Sequence, residues 1–342
     1  MPLLTIAIPT YNRETFLREK LAIFINDTHE DIEFVVIDNN SNYDKSFLTS
    51  NDIASKKNIK YISNNLNIGG PANVLRCFEN ATGDWIWILG DDDALAPNAI
   101  EIVYQECQKA VNYSFINFGS TLLDLGGVKR RQNISTDGIS EFIENIDNFS
   151  NLLFISAGIY KTKEIIKFLR CGYHNINTFA PHTAMLFELL QCGENRKVLF
   201  SNKHIIEWKP AEESQQWEYE VVNIGLQKLT HQIQRLEDRS IFMNILIKEK
   251  THTPFPKTLK RLILLFGAKN NNAEELFIIN IIMLALLRKN WSFLALSLYF
   301  TFYDSVLNKT AEKIIFYYNK ITNKKLILKK STQSIFNESK RL

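Results

Sequence analysis

The stretch Trp85-Ile86-Trp87-Ile88-Leu89-Gly90-Asp91-Asp92-Asp93 constrains the fold more than any other. Five bulky apolar residues demand a buried strand. Three carboxylates follow where such a strand leaves its sheet. Carboxylates packed this closely repel one another unless they are solvated, protonated or neutralised by a cation. In open α/β sheets the C-terminal edge of a strand is where ligands sit. A hard divalent cation, held by one or two carboxylates and completed by a substrate diphosphate, suits that place. The same residues could instead form a solvated acidic turn capping a helix that Pro97 begins.

The first 120 residues alternate two patterns. Short apolar, β-branched runs at 3–8, 34–37, 59–62 and 85–89 predict strands. Stretches of helix length lie between them, at 14–25, 44–55 and 71–80. Turn residues mark the joins, as in Asn39-Asn40-Ser41-Asn42 and Asn67-Ile68-Gly69-Gly70-Pro71. Strands alternating with helices predict βαβ units and an α/β fold with a mainly parallel central sheet. Residues 110–210 are mixed. They predict strands at 113–118 and 154–160, a Gly-Gly hairpin over 123–131, and a helix over 183–191 ending near Gly193. Short strands are expected at 198–200 and 205–208, around an Asn-Lys-His turn. From about residue 216 the pattern is helical.

The net charge of the 342 residues is only +3, but it hides an asymmetry. Residues 251–342 hold 15 basic and 5 acidic residues, a surplus of 10, against 25 and 32 in the first 250, a deficit of 7. A basic, apolar tail on an acidic body predicts an anionic partner, either a membrane surface or nucleic acid. The runs 277–287 and 291–303 are mostly apolar but only 11 and 13 residues long, split by Arg288-Lys289-Asn290. Spanning a bilayer takes about 20 such residues. Helices buried against each other, or lying in a membrane interface, are expected instead. Cys77, Cys107, Cys171 and Cys192 form no CxxC pair, which argues against a zinc site or a disulfide framework and suits a reducing cytosol. No signal peptide is expected, because residues 3–9 form a short apolar run with no basic stretch before it.

Four motifs follow one another in order. They are Ile8-Pro9-Thr10-Tyr11-Asn12-Arg13, Val36-Ile37-Asp38-Asn39-Asn40-Ser41, Asn67-Ile68-Gly69, and Gly83-Asp84-Trp85 running into Asp91-Asp92-Asp93. This combination resembles bacterial family 2 glycosyltransferases of the GT-A fold over the first 110 residues, and more weakly to residue 210. It is most similar to enzymes that build O-antigen and other surface polysaccharides, including abequosyltransferase-like proteins. The resemblance implies a GT-A domain at 1–215, with a nucleotide-binding half over 1–110 and an acceptor half over 111–215. A helical, basic, membrane-associating region at 216–342 would follow.

The resemblance also implies roles. Thr10, Tyr11 and Arg13 would hold the nucleotide, Tyr11 stacking on a base or ribose and Arg13 meeting a phosphate. Asp38 would accept a hydrogen bond from a pyrimidine N–H. Asn67, Gly69 and Asn73 would lie over the nucleotide. Most relatives carry Asp-x-Asp; aligned on Leu89, its first Asp falls on Gly90 and its second on Asp92. Asp92 is then the main metal ligand. Asp91 would contact the ribose or share the metal, and Asp93 would hold a helix or the acceptor. The relatives' catalytic Glu-Asp falls on Pro181-His182, in the register set by Leu189, Leu190 and Gly193. A neutral imidazole at His182 can take a proton from an acceptor hydroxyl, since its reference pKa is about 6.5, or it can ligate the metal. Lys209 would neutralise the diphosphate. Each residue also has a plainer reading: Thr10 or Asn12 as a helix cap, Tyr11 and His182 as packing, Asp38 and 67–73 as turns, and 208–217 as a surface loop.

The implied activity is glycosyl transfer from a nucleotide-diphospho-sugar to a hydroxyl of a lipid-linked saccharide, with a divalent cation, Mn or Mg, as cofactor. The implied setting is cytoplasmic, peripheral at the inner face of the cytoplasmic membrane. Contacts between copies through the C-terminal helices are left open. No nucleic-acid motif accompanies the basic tail, and no nucleic acid is expected as a partner. The departures at Gly90 and Pro181-His182 keep a second reading open, a catalytically silent subunit that binds nucleotide-sugars.

Overall fold

A strand enclosed on both faces needs a continuous apolar run. Leu4–Thr10 (β1) and Ile32–Asp38 (β2) meet that requirement, and in the computed structural model both are buried almost throughout. The structure describes residues 1–49, 58–121, 128–147, 149–178, 180–207 and part of 229–245. The other strands are Ile59–Ser63 (β3), Trp85–Ile88 (β4), Ala94–Leu95 (β5), Phe115–Thr121 (β6), Ile134–Asp137 (β7), Gly158–Lys161 (β8) and Lys197–Glu207 (β9).

β1 is the axis of the sheet. β2 and β4 flank it, both parallel to it, with Thr10 opposite Asp38 and Ala7 opposite Ile88. β3 adds outside β2, also parallel. The strand order is β3-β2-β1-β4-β8-β6-β9-β5, with β7 paired to β9. β8 runs antiparallel to both β4 and β6, whereas β6 and β9 are parallel. The first half is therefore wholly parallel and the second mixed. The chain order reverses across β1, so the C-terminal ends of β1, β2 and β4 open onto one crevice. That is the switch point where such sheets bind ligands.

Helix Glu14–Ile25 buries Leu17, Lys20, Leu21 and Phe24, the one-face spacing of an amphipathic helix. Phe24 stacks on Phe34 of β2 with ring centroids 4.1 Å apart. Trp85 and Trp87 are fully buried in the same core. Gly83, just before β4, has to be glycine. A Cβ there would lie 2.7 Å from the Thr5 nitrogen and 2.8 Å from the Leu4 carbonyl carbon. Its own N–H donates to the Thr5 hydroxyl at 2.8 Å. Leu229, Ile233 and Phe242 are fully buried, Phe242 edge-on to Phe187 at 5.2 Å. They belong to a first unit, Met1–Ile245; the second, Leu246–Leu342, lies outside the described residues.

Helices 14–25 and 71–80 and the four early strands appear where their periodicity predicts them, within two residues. Three expectations need correction. In the stretch 44–55, the described part is a single 3₁₀ turn, Ser46–Thr49, and 50–57 lie outside the described residues. The Asp44 carboxylate takes both the backbone N–H and the hydroxyl of Ser46, a local alternative to a helix start. The strand expected at 154–160 begins only at Gly158. Ile155–Ala157 form a 3₁₀ turn, because the Ser156 carbonyl accepts the Trp87 indole N–H at 2.8 Å. The two short strands at 198–200 and 205–208 are one strand, β9, whose register against β6 shifts around Gly119. A Cβ at Gly119 would collide with the Val128 carbonyl oxygen, so the irregularity lets the chain pass there. Most of the 123–131 hairpin lies outside the described residues. So do the helical pattern of the tail and its apolar runs. Among the described residues no helix is long and apolar enough to cross a membrane.

Candidate active site

Thr10 ends β1, and the acidic turn follows β4 on the neighbouring strand, so the two meet at the crevice. The Thr10 hydroxyl donates to Asp91 Oδ2 at 2.8 Å. Arg13 reaches in from the same loop. Its Nη1 lies 2.8 Å from Asp91 Oδ1 and 2.8 Å from Asp92 Oδ2. Asp91 therefore has both oxygens paired. It is also buried, and burial pushes its pKa up against the pull of Arg13 and Thr10. Asp92 is the open member of the set, its side chain 38% exposed.

Asp93 turns back instead. It accepts a hydrogen bond from the Ser156 hydroxyl, which in turn accepts the Gly90 N–H at 2.8 Å. A Cβ on Gly90 would collide with the Asp93 carboxylate. Burial, with the charges of Asp92 and Asp91 adding to it, pushes the Asp93 pKa up to about 6, and Ser156 and Lys20 oppose that rise. Lys20 lies on the buried face of helix Glu14–Ile25. Burial lowers its pKa, and Asp93 leads the carboxylates that counter this.

A second network joins the ends of β2 and β3 to helix Gly70–Asn80. The Asn39 N–H donates to the Thr10 carbonyl at 2.9 Å, and its side-chain amide donates to Asn67 Oδ1 at 2.7 Å. Asn64 donates to both Asn39 Oδ1 and Asn73 Oδ1, at 3.1 and 2.8 Å. Asn73 donates to the Ile37 carbonyl at 2.9 Å. Gly69 sits at φ +85, a conformation that favours glycine, and its N–H donates to Asn67 Oδ1. Asn67 and Gly69 are exposed at the crevice edge, while Asn73 is buried beneath them.

Asp38 lies at the end of β2 but is fully buried. Lys45 Nζ is 2.8 Å from Oδ2, the Ser63 hydroxyl donates to Oδ2 at 3.0 Å, and the Ser41 hydroxyl donates to Oδ1. Burial would raise its pKa, but these donors outweigh it and hold the carboxylate below its ordinary range. Its contacts here are thus all within the protein. Tyr11 stands 43% exposed in the loop after β1.

His182 occupies the first turn of helix Pro181–Cys192 and is 4% exposed. Its Nε2–H donates to the Leu153 carbonyl at 3.2 Å, which leaves Nδ1 as the lone-pair nitrogen. Nδ1 is buried without a hydrogen-bond partner among the described residues. Burial pulls its pKa down to about 4, so the ring is neutral at pH 7. Leu153 lies three residues before Ser156, so this short segment touches both His182 and Asp93. Lys209 lies outside the described residues.

The structure thus gathers Thr10, Arg13, Asp91, Asp92 and Asp93 into one cluster. Asn67, Gly69 and Asn73 share a second, anchored to the first through Asn39. Asp38 is enclosed by a third set of donors, and His182 lies behind the segment carrying Ser156. Asn39, Ser41, Lys45 and Ser156 were missed by the sequence reading. The first two stand inside the Asp38-Asn39-Asn40-Ser41 motif and could have been found there. Nothing local marks Ser156.

Among the described residues no three His, Cys, Asp or Glu side chains are arranged to hold a metal by themselves. The donor set still fits a cation of the Mg or Mn kind, which needs only one or two protein carboxylates when a diphosphate completes its shell. Asp92 offers such a carboxylate at the open side of the turn.

The architecture is that of GT-A glycosyltransferases. The crystal structure of S. aureus TarS 1–349 in complex with UDP-GlcNAc is similar with a TM-score of 0.56 at 13% identity, covering 92% of each chain. Residues 5–177, half of the chain, match the family model "Glycosyl transferase family 2". The chain belongs to that family. It is 28% identical over 158 residues to GalNAc(5)-diNAcBac-PP-undecaprenol beta-1,3-glucosyltransferase of Campylobacter jejuni, covering 46% of this chain and 48% of that protein. It is 36% identical over 108 residues to abequosyltransferase RfbV of Salmonella typhimurium, covering 30% of this chain and 31% of that protein. It therefore spans half or less of the length of these curated relatives.

The Asp93 environment gives a signed pH dependence. Its folded pKa of about 6 stands above the ordinary 3.8. At low pH the carboxyl is protonated in both states and nothing is lost. As pH rises, the unfolded chain ionises first and stability falls, until the full penalty is present above the folded pKa. Asp93→Asn removes that penalty and can still accept from Ser156. Urea unfolding should show the variant more stable than wild type by about 1–3 kcal/mol near pH 7.5, with the gap closing near pH 4. A gap that does not vary with pH would show that Asp93 is not the titrating group.

Proposed function

We propose that this chain transfers a sugar from a nucleotide-activated donor to a hydroxyl of a lipid-linked saccharide during synthesis of a surface polysaccharide. The observation that carries this reading is the acidic turn at the switch point, with Asp92 left as its open carboxylate. Family membership supports the transfer chemistry. The name of the Campylobacter relative, an enzyme of a PP-undecaprenol-linked saccharide, supports a lipid-linked acceptor. The TarS complex supports a nucleotide-sugar donor.

In this reading Asp92 holds Mn or Mg, with Asp91 beside it. Such a cation, when bound, offsets the charge of the leaving diphosphate. Thr10, Tyr11 and Arg13 face the nucleotide from the first loop and Asn67 and Gly69 from the opposite edge, whereas Asn73, expected over the nucleotide, is buried with its amide bonded to Ile37 and Asn64 and supports that edge from below. Asp38 would meet a base only by exchanging one of its donors, and Lys45, one-third exposed, is the one free to leave. Lys209 would approach the diphosphate. Asp93 would orient the acceptor side of the turn through Ser156. A boundary near residue 215 belongs to this reading, with Leu229, Ile233 and Phe242 buried in the first unit and the basic residues of 251–342 meeting an anionic membrane surface. A contact between copies through the residues after 216 is compatible with the same reading.

The metal assignment is tested by Asp92→Asn. The variant should stay folded, lose Mn-dependent transfer, and lose the rise in melting temperature that Mn gives with the native donor among UDP-, GDP-, CDP- and dTDP-sugars. Near-wild-type turnover would remove Asp92 from the metal site.

His182 is assigned as the base. With Nε2–H held by Leu153, the proton of the acceptor hydroxyl would go to Nδ1. His182→Ala should lower transfer by about 10²- to 10⁴-fold with nucleotide and metal affinity nearly constant. The burial of this ring favours a second reading, the silent nucleotide-sugar-binding subunit. That reading predicts no transfer by wild type, and a fall in melting temperature as the main effect of His182→Ala.

The tail is tested by truncation near Pro254. Full-length protein should co-sediment with anionic liposomes and the truncated form should not. Equal sedimentation of the two would remove the tail from membrane contact.

A further inference from the structure

We propose that Arg13 stands in for the divalent cation on Asp91 and Asp92 in the free protein, and that a metal entering the site must displace it from Asp92. This rests on the metal reading given above. A single nitrogen, Nη1, lies 2.8 Å from an oxygen of each carboxylate. One guanidinium thus neutralises both carboxylates at once, the charge that a cation held by this turn would supply. Asp91, at 5% side-chain exposure, depends on such a positive charge, because an ionised carboxylate buried without one is strongly disfavoured. Asp92 has no such dependence. It is more exposed and can exchange partners.

The backbone that carries Arg13 is fixed. The Asn12 N–H donates to the Ser41 hydroxyl at 2.8 Å, and the Asn12 side chain accepts the Asn42 N–H at 2.9 Å. The Arg13 carbonyl receives the Leu17 N–H at the start of the helix. The moving part is therefore the side chain, 27% exposed. A metal arriving alone would have to sit beside this positive charge or push it out into water. A metal arriving with a diphosphate brings the guanidinium new anionic oxygens in a geometry it binds well. Arg13 can then swing from Asp92 to the diphosphate while the cation takes Asp92. The free site resists bare metal, and metal and donor favour each other.

The experiment measures binding of Mn²⁺ alone, by electron paramagnetic resonance and calorimetry, to wild type, Arg13→Gln and Asp92→Asn. Arg13→Gln should bind Mn²⁺ about tenfold more tightly than wild type, and Mn²⁺ should raise its melting temperature more. Asp92→Asn should abolish the binding in either background. Equal or weaker Mn²⁺ binding by Arg13→Gln, still lost with Asp92→Asn, overturns the role of Arg13 and leaves the metal reading standing. Mn²⁺ binding that ignores Asp92 overturns both. If Arg13→Gln does not fold, the wild-type chain gives the answer through Mg²⁺ titration of the Arg13 side-chain nitrogen-15 resonances, assigned with Arg13→Lys. Those resonances should move as Mg²⁺ binds; fixed resonances overturn the proposal.

Discussion

Three consecutive carboxylates at the mouth of a buried strand repel one another, and the crevice is organised around that repulsion. Each acid meets it differently. Asp91 is buried and held by Arg13 and Thr10. Asp92 shares the same guanidinium but keeps its open side. Asp93 turns away, is buried beside Ser156, and has its pKa pushed up to about 6. Each solution draws in a different segment of chain. The loop after β1, the turn after β4 and the 155–157 turn are thus brought together by one electrostatic problem.

The asparagine network is the neutral counterpart. Asn39, Asn64, Asn67 and Asn73 exchange side-chain hydrogen bonds across the ends of β2, β3 and the helix that begins at Gly70. None of them titrates, so their own hydrogen bonds carry no pH dependence. Asp38 is enclosed beside it, ionised and satisfied by Lys45, Ser41 and Ser63. A fully satisfied buried carboxylate rigidifies its loop, whereas a half-satisfied one would weaken it. The crevice thus has one side held by a hydrogen-bonded amide network and one side built of carboxylates that share a guanidinium.

Much of this was legible in the sequence, for a physical reason. Parallel strands enclosed on both faces must be continuously apolar, so β1, β2 and β4 announce themselves, and the acids that follow β4 can only lie at its exit. The second half is less legible because its signals are not local. Residues 154–160 read as a strand until Trp87 and Gly90 take the polar groups of Ser156. The irregular run of β9 beside β6 depends on Val128 crossing Gly119, which no window of sequence contains. Ser156 is an ordinary serine in an apolar stretch, and only the fold sets it against Asp93. The alignment that singled out His182 likewise carries no information on its burial behind Leu153.

The glycine at position 90 shows how a departure from a motif can be compensated in three dimensions. In the Asp-x-Asp register the first carboxylate would belong at 90. Here a Cβ at 90 would force the Asp93 carboxylate to move, because Asp93 folds back into the space that Cβ would need. Glycine and Asp93 are therefore one feature. The Asp93 carboxylate lies against position 90, and Ser156 holds it there while also taking the Gly90 N–H. An aspartate at 90 would have to compete with Asp93 for this space. It would displace Asp93 from Ser156 and put a fourth carboxylate into a cluster in which the Arg13 guanidinium already serves two.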